Sequence, residues 1–244
     1  MIDGHAHLNE IEHIDAAVER AKSVGIRGII AVGMDIDSNL KTLSLARLFP
    51  LFVHPSIGYH PWSITPEGIG ENLAFIEANI GLSLAVGEVG LDYGAKAKKK
   101  LQQEVFGKIL LIAQKHDKPV IIHSRYSHQR TFMMAREAGI RRAVFHWYSG
   151  PTDVLEGILE NGYFISATPA LAYSPFHQEA VRMAPIEQIL VETDSPVIYE
   201  GKASEPADLV ITIRELSRIK GIPPGDVARI TAANTELFYR ISVK

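Results

Sequence analysis

Cysteine is absent from the 244-residue chain, which excludes a disulfide framework, a thiolate nucleophile, a cysteine-built zinc finger and a sulfur-held iron–sulfur cluster. Any metal must rest on His, Asp or Glu. No apolar run approaches the roughly 18 residues that cross a bilayer, and no basic segment followed by an apolar stretch opens the chain. No membrane partner is therefore expected, and the expected location is cytoplasmic. Positive charge is not in excess either: 25 Lys and Arg stand against 28 Asp and Glu, a formal net charge of -3. A nucleic acid would have to be held by local features, without a general basic field. Neither GxGxxG nor GxxxxGK[ST] follows any apolar run, which argues against a doubly wound nucleotide-binding sheet. Wholesale disorder is excluded as well, because 46% hydrophobic against 22% charged residues supplies enough apolar surface for a sizeable core.

What is present is alternation. Eight short β-branched runs, at 2–7, 27–33, 52–58, 83–88, 119–123, 142–146, 163–167 and 188–193, alternate with stretches of helical periodicity such as 14–24, 73–80, 101–116 and 131–138. Strands that alternate with helices pair in parallel through crossover connections. Eight such units close a barrel, so the predicted fold is α/β, a single (β/α)8 TIM barrel over residues 1–244, without internal repeat or linker. Residues 201–206 read as a loop after the eighth strand. Pro223-Pro224-Gly225-Asp226 reads as a turn, with Asp226 placed to cap a final helix ending near Tyr239.

Barrels of this kind carry their reacting groups at the C-terminal ends of the strands. Here those ends are rich in metal-ligand types. The first run closes on His5-Ala6-His7, whose alternate side chains share one face. Glu88 closes the fourth run, His123 the fifth and His146 the sixth, while Asp194 follows the eighth. Any one of these has an ordinary structural explanation, but burying several imidazoles and unpaired carboxylates together costs several kcal/mol unless a cation holds them. Six ligands exceed the needs of one tetrahedral ion, so a two-ion centre is predicted at the C-terminal ends of the strands. The expected sets are His5, His7, Glu88 and Asp194 around one ion and Glu88, His123 and His146 around the other, with Glu88 as the bridge. Nitrogen and oxygen donors without sulfur suit zinc, manganese or iron, and accept magnesium where water completes the shell.

At these residues the chain resembles the TatD family of metal-dependent hydrolases, a branch of the amidohydrolase-like barrels. Ile2-Asp3-Gly4-His5-Ala6-His7-Leu8 resembles the family's opening motif, Gly58-Tyr59-His60-Pro61 its GxHP element, and Gly87-Glu88-Val89-Gly90-Leu91-Asp92 its GE[IV]GLD signature. Gln102 with Phe106, Pro119-Val120-Ile121-Ile122-His123-Ser124-Arg125, His146-Trp147-Tyr148-Ser149-Gly150, Glu192-Thr193-Asp194-Ser195-Pro196, and Asn234 with Leu237-Phe238 follow in family order. The resemblance implies a (β/α)8 barrel that cleaves phosphodiester bonds, often as a deoxyribonuclease, with His5, His7, Glu88, His123, His146 and Asp194 as metal ligands. The departures fall on substrate-facing loops: Trp147-Tyr148 replaces the family's usual Cys-Phe, Tyr126 a small or acidic residue, and Val197 an aromatic, while 201–206 is short and lacks the usual Arg.

On this reading Asp194 orients or deprotonates the attacking water, and His60 holds a phosphate oxygen or the leaving group. Arg125 offers a fork for a phosphate, the alternative being a structural ion pair with Asp92, itself expected to support a ligand. Trp62, Tyr126, Trp147 and Tyr148 either stack on unpaired bases or pack the rim. Lys96, Lys98, Lys99 and Lys100 read first as a solvated helix face and second as a phosphate contact. His13, His54, His116, His128 and His177 fit no ligand position. The expected function is a two-metal phosphodiesterase or deoxyribonuclease acting on single-stranded or frayed nucleic acid, without an obligate protein partner. One alternative is hydrolysis of a carbon-centred ester or amide such as an aminoacyl-tRNA ester; the other is a barrel that only binds nucleic acid or protein.

Overall fold

In the computed structural model, which describes residues 1–243, eight parallel strands pair in strict chain order. They are β1 (Ile2–Ala6), β2 (Gly28–Val32), β3 (Val53–Ile57), β4 (Ala85–Gly90), β5 (Val120–His123), β6 (Ala143–Phe145), β7 (Phe164–Ala167) and β8 (Ile189–Val191). Helices α1 (Ile14–Ser23), α2 (Ile36–Leu48), α3 (Ile69–Asn79), α4 (Lys99–Lys115), α5 (His128–Glu137), α6 (Thr152–Glu160), α7 (Pro175–Met183), α8 (Leu209–Lys220) and α9 (Pro224–Tyr239) flank them. The result is the predicted TIM-barrel-like α/β fold. Strands such as Gly28–Val32 and Val120–His123 are buried along their whole length, as expected where helices cover one face and the barrel interior the other.

Local chemistry sets the element ends. Asp35 and Ser38 form a reciprocal capping box at the start of α2, Ser38 N–H donating to Asp35 Oδ1 at 2.9 Å and Asp35 N–H to Ser38 Oγ at 2.9 Å. Gly221, at φ 66°, ends α8 in the left-handed conformation that glycine adopts without penalty. Pro223-Pro224 starts α9, so Asp226 lies inside the first turn; it does not cap the helix but pairs with Arg229 at 3.0 Å. The predicted loop at 201–206 is likewise corrected. Ile198–Tyr199 (β9) and Lys202–Ala203 (β10) form a small antiparallel hairpin, because Glu200 and Gly201 both take positive φ (49° and 84°), the requirement of a tight hairpin turn.

The two edges of the strand series meet through the residues that follow β8. Asp194 N–H donates to His5 O at 3.0 Å and His7 N–H to Ser195 O at 2.8 Å. Below them the Asp3 carboxylate accepts from Thr193 N–H at 3.0 Å and Thr193 Oγ1 at 2.6 Å. Inside the barrel, Ile30, Val32, Ala85, Ile121, Val144 and Leu190 pack with Phe238 and Tyr239 from the end of α9. Ile121 and Val144 each lie two residues before a histidine, so the same strand faces that build this apolar floor carry His123 and His146 above it. Among the described residues no helix is long and apolar enough to cross a membrane.

Candidate metal centre

The ligand-type side chains converge above that floor, and two local irregularities aim them. The β1–β2 register shifts between Asp3 and Ala6, and the β4–β5 register shifts between Val86 and Val89. His5 and Glu88 lie within these two bulged stretches. A bulge changes where a side chain points without ending the strand. The Glu88 backbone is also closely seated: a Cβ on Gly58 would lie 2.4 Å from Glu88 O and 2.6 Å from Glu88 N, so only glycine at position 58 leaves room for β4. Asn39 fixes that glycine from α2, accepting from Gly58 N–H at 3.0 Å and donating to Gly58 O at 2.8 Å.

Four donor atoms form the first cluster. His5 Nε2 lies 3.3 Å from His7 Nε2, 3.4 Å from Glu88 Oε2 and 3.3 Å from Asp194 Oδ1. His7 Nε2 lies 3.4 Å from each of those carboxylate oxygens. Four donors held about 2.0–2.1 Å from a central ion in a tetrahedron stand about 3.3–3.4 Å from one another, so these separations match a coordination shell. Asp194 Oδ1 is buried and makes no hydrogen bond, an arrangement that costs free energy unless a cation takes the lone pair. The Asp194 backbone is left-handed at φ 51°, which Asp tolerates better than most residues.

The other oxygen of Glu88 faces the other way. Glu88 Oε1 lies 2.8 Å from His123 Nδ1, 2.8 Å from His146 Nε2 and 3.4 Å from His60 Nε2. This second set is tighter and offers two imidazole nitrogens and one carboxylate oxygen; its three residues also line a cavity of about 1050 Å³, from which water or substrate can complete a shell. Supporting residues fix the rings. Asp92 Oδ2 lies 3.2 Å from His123 Nε2, and Glu192 Oε1 lies 3.3 Å from His146 Nδ1 while accepting from Trp147 N–H at 3.1 Å. Such partners set ring orientation and tautomer.

Electrostatics divides these groups. Burial disfavours the charged forms of Glu88 and Asp194, but the His146, His60 and His123 rings outweigh it at Glu88, and His7 and His5 do so at Asp194, so both carboxyls titrate below their ordinary range. Conversely, Asp194 and Glu88 lift His7 to about 10 against its burial, and carboxylate neighbours raise His123 and His146. The carboxylates thus call for positive charge, which protons on the rings or divalent ions can supply. His60 differs. Burial lowers it to about 4, and Trp62 N–H donates to its Nδ1 at 3.2 Å, which leaves the proton of the neutral ring on Nε2, facing Glu88.

All six expected ligands meet in this cluster, and His60 joins them. Arg125 does not reach it: its Nε lies 3.2 Å from Asp92, its side chain is half exposed, and it lines the cavity. The expected stacking residues separate. Trp62 and Tyr126 stand exposed at the rim and Trp147 is half-buried against Tyr199, but Tyr148 is wholly buried and donates its hydroxyl to Pro151 O at 2.7 Å. Tyr148 therefore cannot stack on a base. The four lysines are exposed and none lines the cavity, and Lys99 lies over the Tyr93 ring. His177 is buried outside the ligand cluster, in keeping with a position that fits no ligand, whereas His128 forms part of the cavity wall. Glu192 and the rim residues Tyr173, Phe176 and Ile198 were given no role from the sequence; the parity of Glu192 with Asp194 was the available signal for the first, and nothing marked the others.

A nearly closed parallel barrel whose strand ends converge clustered imidazoles and carboxylates defines the class of metal-dependent hydrolases. Within that class, residues 2–240 match the family model for TatD related DNase, and the chain belongs to the TatD family. It is 29% identical to the putative deoxyribonuclease tatdn3 of Danio rerio, over 99% of this chain and 98% of the relative. It is 28% identical to an uncharacterized metal-dependent hydrolase of Methanocaldococcus jannaschii, over 98% and 96%. The crystal structure of YjjV, a TatD homolog from Escherichia coli, superposes with a TM-score of 0.90 over 99% of this chain and 98% of that one at 23% identity. Membership makes the chain a metal-dependent hydrolase acting on ester bonds.

Proposed function

We propose that the chain is a phosphodiesterase of the deoxyribonuclease type, hydrolysing DNA at single-stranded or frayed ends with two divalent ions, zinc, manganese or magnesium. His5, His7, Glu88 and Asp194 would hold one ion and Glu88, His123 and His146 the other. The observation that carries this reading is Glu88, whose two oxygens face different imidazole sets. The deoxyribonuclease names of the Danio rerio and human relatives support the choice of substrate. The reading takes residues 1–244 as one domain, working in the cytoplasm without an obligate protein partner.

Bound divalent ions supply acidification of water and neutralisation of phosphoryl charge. The chain's own side chains do the rest. Asp194 takes the proton of the attacking water as the new O–P bond forms and the bond to the leaving oxygen breaks, and the proton then passes to the leaving group. Neutral His60, whose Nε2 proton is only loosely engaged by Glu88 Oε1 at 3.4 Å, donates from Nε2 to a phosphoryl oxygen. Arg125, held by Asp92, orients the phosphate from the rim.

The test is purified protein stripped of metal and reloaded with Mg²⁺, Mn²⁺ or Zn²⁺, assayed on single-stranded DNA, a phosphodiester dye and an aminoacyl ester, with elemental analysis. About two ions per chain and phosphodiester cleavage are expected. Asp194→Asn should lower turnover by about 10²–10⁴ with the fold retained by circular dichroism. Ester turnover without phosphodiester cleavage, or full activity in Asp194→Asn, overturns the reading.

A further inference from the structure

The mouth above the metal centre is unusual in what it exposes. Large apolar side chains are ordinarily buried, and a contiguous exposed group of them marks a binding surface. Here Tyr126 is 72% exposed, Phe176 75%, Ile198 68% and Trp62 59%, and all four line the same cavity together with Tyr173. They come from the segments that follow β3, β5, β7 and β8, so the apolar wall is built across the barrel rim and is not an accident of one loop. Lysine and arginine are scarce there. Among the described residues lining the cavity, Arg125 is the one Lys or Arg, its Nε is already engaged by Asp92, and the exposed Glu10 offsets it. The lysines at 96, 98, 99 and 100 lie outside the lining.

A surface that tracks a nucleic-acid backbone without sequence preference lines its groove with positive charge, and binding then weakens steeply with salt. This mouth has the aromatic half of such a site without the cationic half. Resting on the phosphodiester reading above, we infer that the mouth recognises a substrate by a single aromatic group seated against Tyr126, Tyr173, Phe176 and Ile198, with only the scissile phosphate bound through charge. The substrate class is therefore a short phosphodiester bearing one aromatic group, such as a terminal nucleoside or an aryl ester, and contacts along a polymer contribute nothing to selection.

The experiment compares metal-loaded protein on dithymidine monophosphate and on its doubly abasic analogue, which share the scissile linkage and differ only in the aromatic bases, and on oligonucleotides of increasing length at several salt concentrations. Dithymidine monophosphate should be preferred about tenfold or more in kcat/KM, and Tyr126→Ala and Phe176→Ala, both at exposed positions, should each erode most of that preference. Log kcat/KM should fall with log salt at a slope no steeper than about -0.7, that of one single-strand phosphate contact, and should not rise with oligonucleotide length. A slope of -2 or steeper with kcat/KM climbing with length, or equal use of the based and abasic dinucleotides, overturns the inference and leaves the phosphodiesterase reading standing. Failure of metal-loaded protein to cleave any of these phosphodiesters removes both.

Discussion

His177 shows how one side chain can be fixed in a single protonation state by its neighbours. It is wholly buried, its Nδ1 lies 2.7 Å from Tyr148 O, and Thr168 N–H donates to its Nε2 at 3.1 Å. The carbonyl demands a proton on Nδ1 and the amide demands a lone pair on Nε2, so only the neutral ring with the proton on Nδ1 satisfies both. Protonating Nε2 would set two N–H groups against each other. Burial accordingly lowers the pKa to about 4, whereas the unfolded chain binds that proton near 6.5. The unfolded state therefore holds more protons between those values, and the stabilisation is complete above about pH 6.5 and lost as pH falls toward 4. Its ceiling is about 3 kcal/mol. Denaturant unfolding at pH 8 and pH 5 should show wild type losing markedly more stability than His177→Gln, which is weaker at pH 8 but has no ring to titrate. Parallel losses in the two proteins would remove His177 as the source of the acid sensitivity.

At the scale of elements, regular strands and helices were legible because their periodicity is carried by several residues at once. Val120–His123, with three β-branched residues in four positions, began and ended within a residue of its expected bounds, and α9 ended at Tyr239 as read. The six expected ligands were legible for the same reason: each closes or follows a strand. What could not be read were features set by neighbours distant in the chain. The bulges at His5 and Glu88 follow from packing between strands, Tyr148 turns inward where Pro151 O accepts its hydroxyl and the His128 ring packs edge-on against it, and the hairpin at 198–203 depends on two positive φ angles. Glycines separate the two kinds of information. Gly107 lies inside α4, where a Cβ would meet only Met134 at an ordinary 3.7 Å, while a Cβ on Gly58 would strike the Glu88 backbone at 2.4 Å. Gly107→Ala should therefore stabilise the protein by about 0.5–1 kcal/mol through helix propensity, and Gly58→Ala should destabilise it by about 2–4 kcal/mol and lower bound metal. Thermal unfolding with elemental analysis checks both; a neutral Gly58→Ala would mean that β4 is not seated by that contact.

At the scale of the whole molecule, the first donor cluster lies across the seam between the first and last strands. Every other neighbouring strand pair is joined by a parallel ladder, bulged in β1–β2 and β4–β5, whereas β1 and β8 meet through the short segment after β8, by the Asp194-to-His5 and His7-to-Ser195 backbone bonds and the Asp3 carboxylate on Thr193. The first donor cluster spans that same seam, with His5 and His7 on one side and Asp194 on the other. An ion bound there would add a cross-link at a join held by only a few hydrogen bonds. Ligand binding stabilises by RT ln(1 + [L]/Kd), about 4 kcal/mol at a thousandfold excess over Kd, which for a chain of this size raises Tm by about 8–16 °C. Chelation should lower Tm by that order. Its local signature is sharper than its global one: in hydrogen exchange of the chelated protein, the amides of His7 and Asp194 should lose protection first, while those of Ile29, in the β2–β3 ladder, and Val120, paired with β6, keep theirs. Local openings draw on the least stabilised contacts, whereas a uniform loss would reflect global unfolding alone. Uniform loss of protection on chelation, or none, would show that the seam stands without the ion and that the donor cluster serves the reaction only.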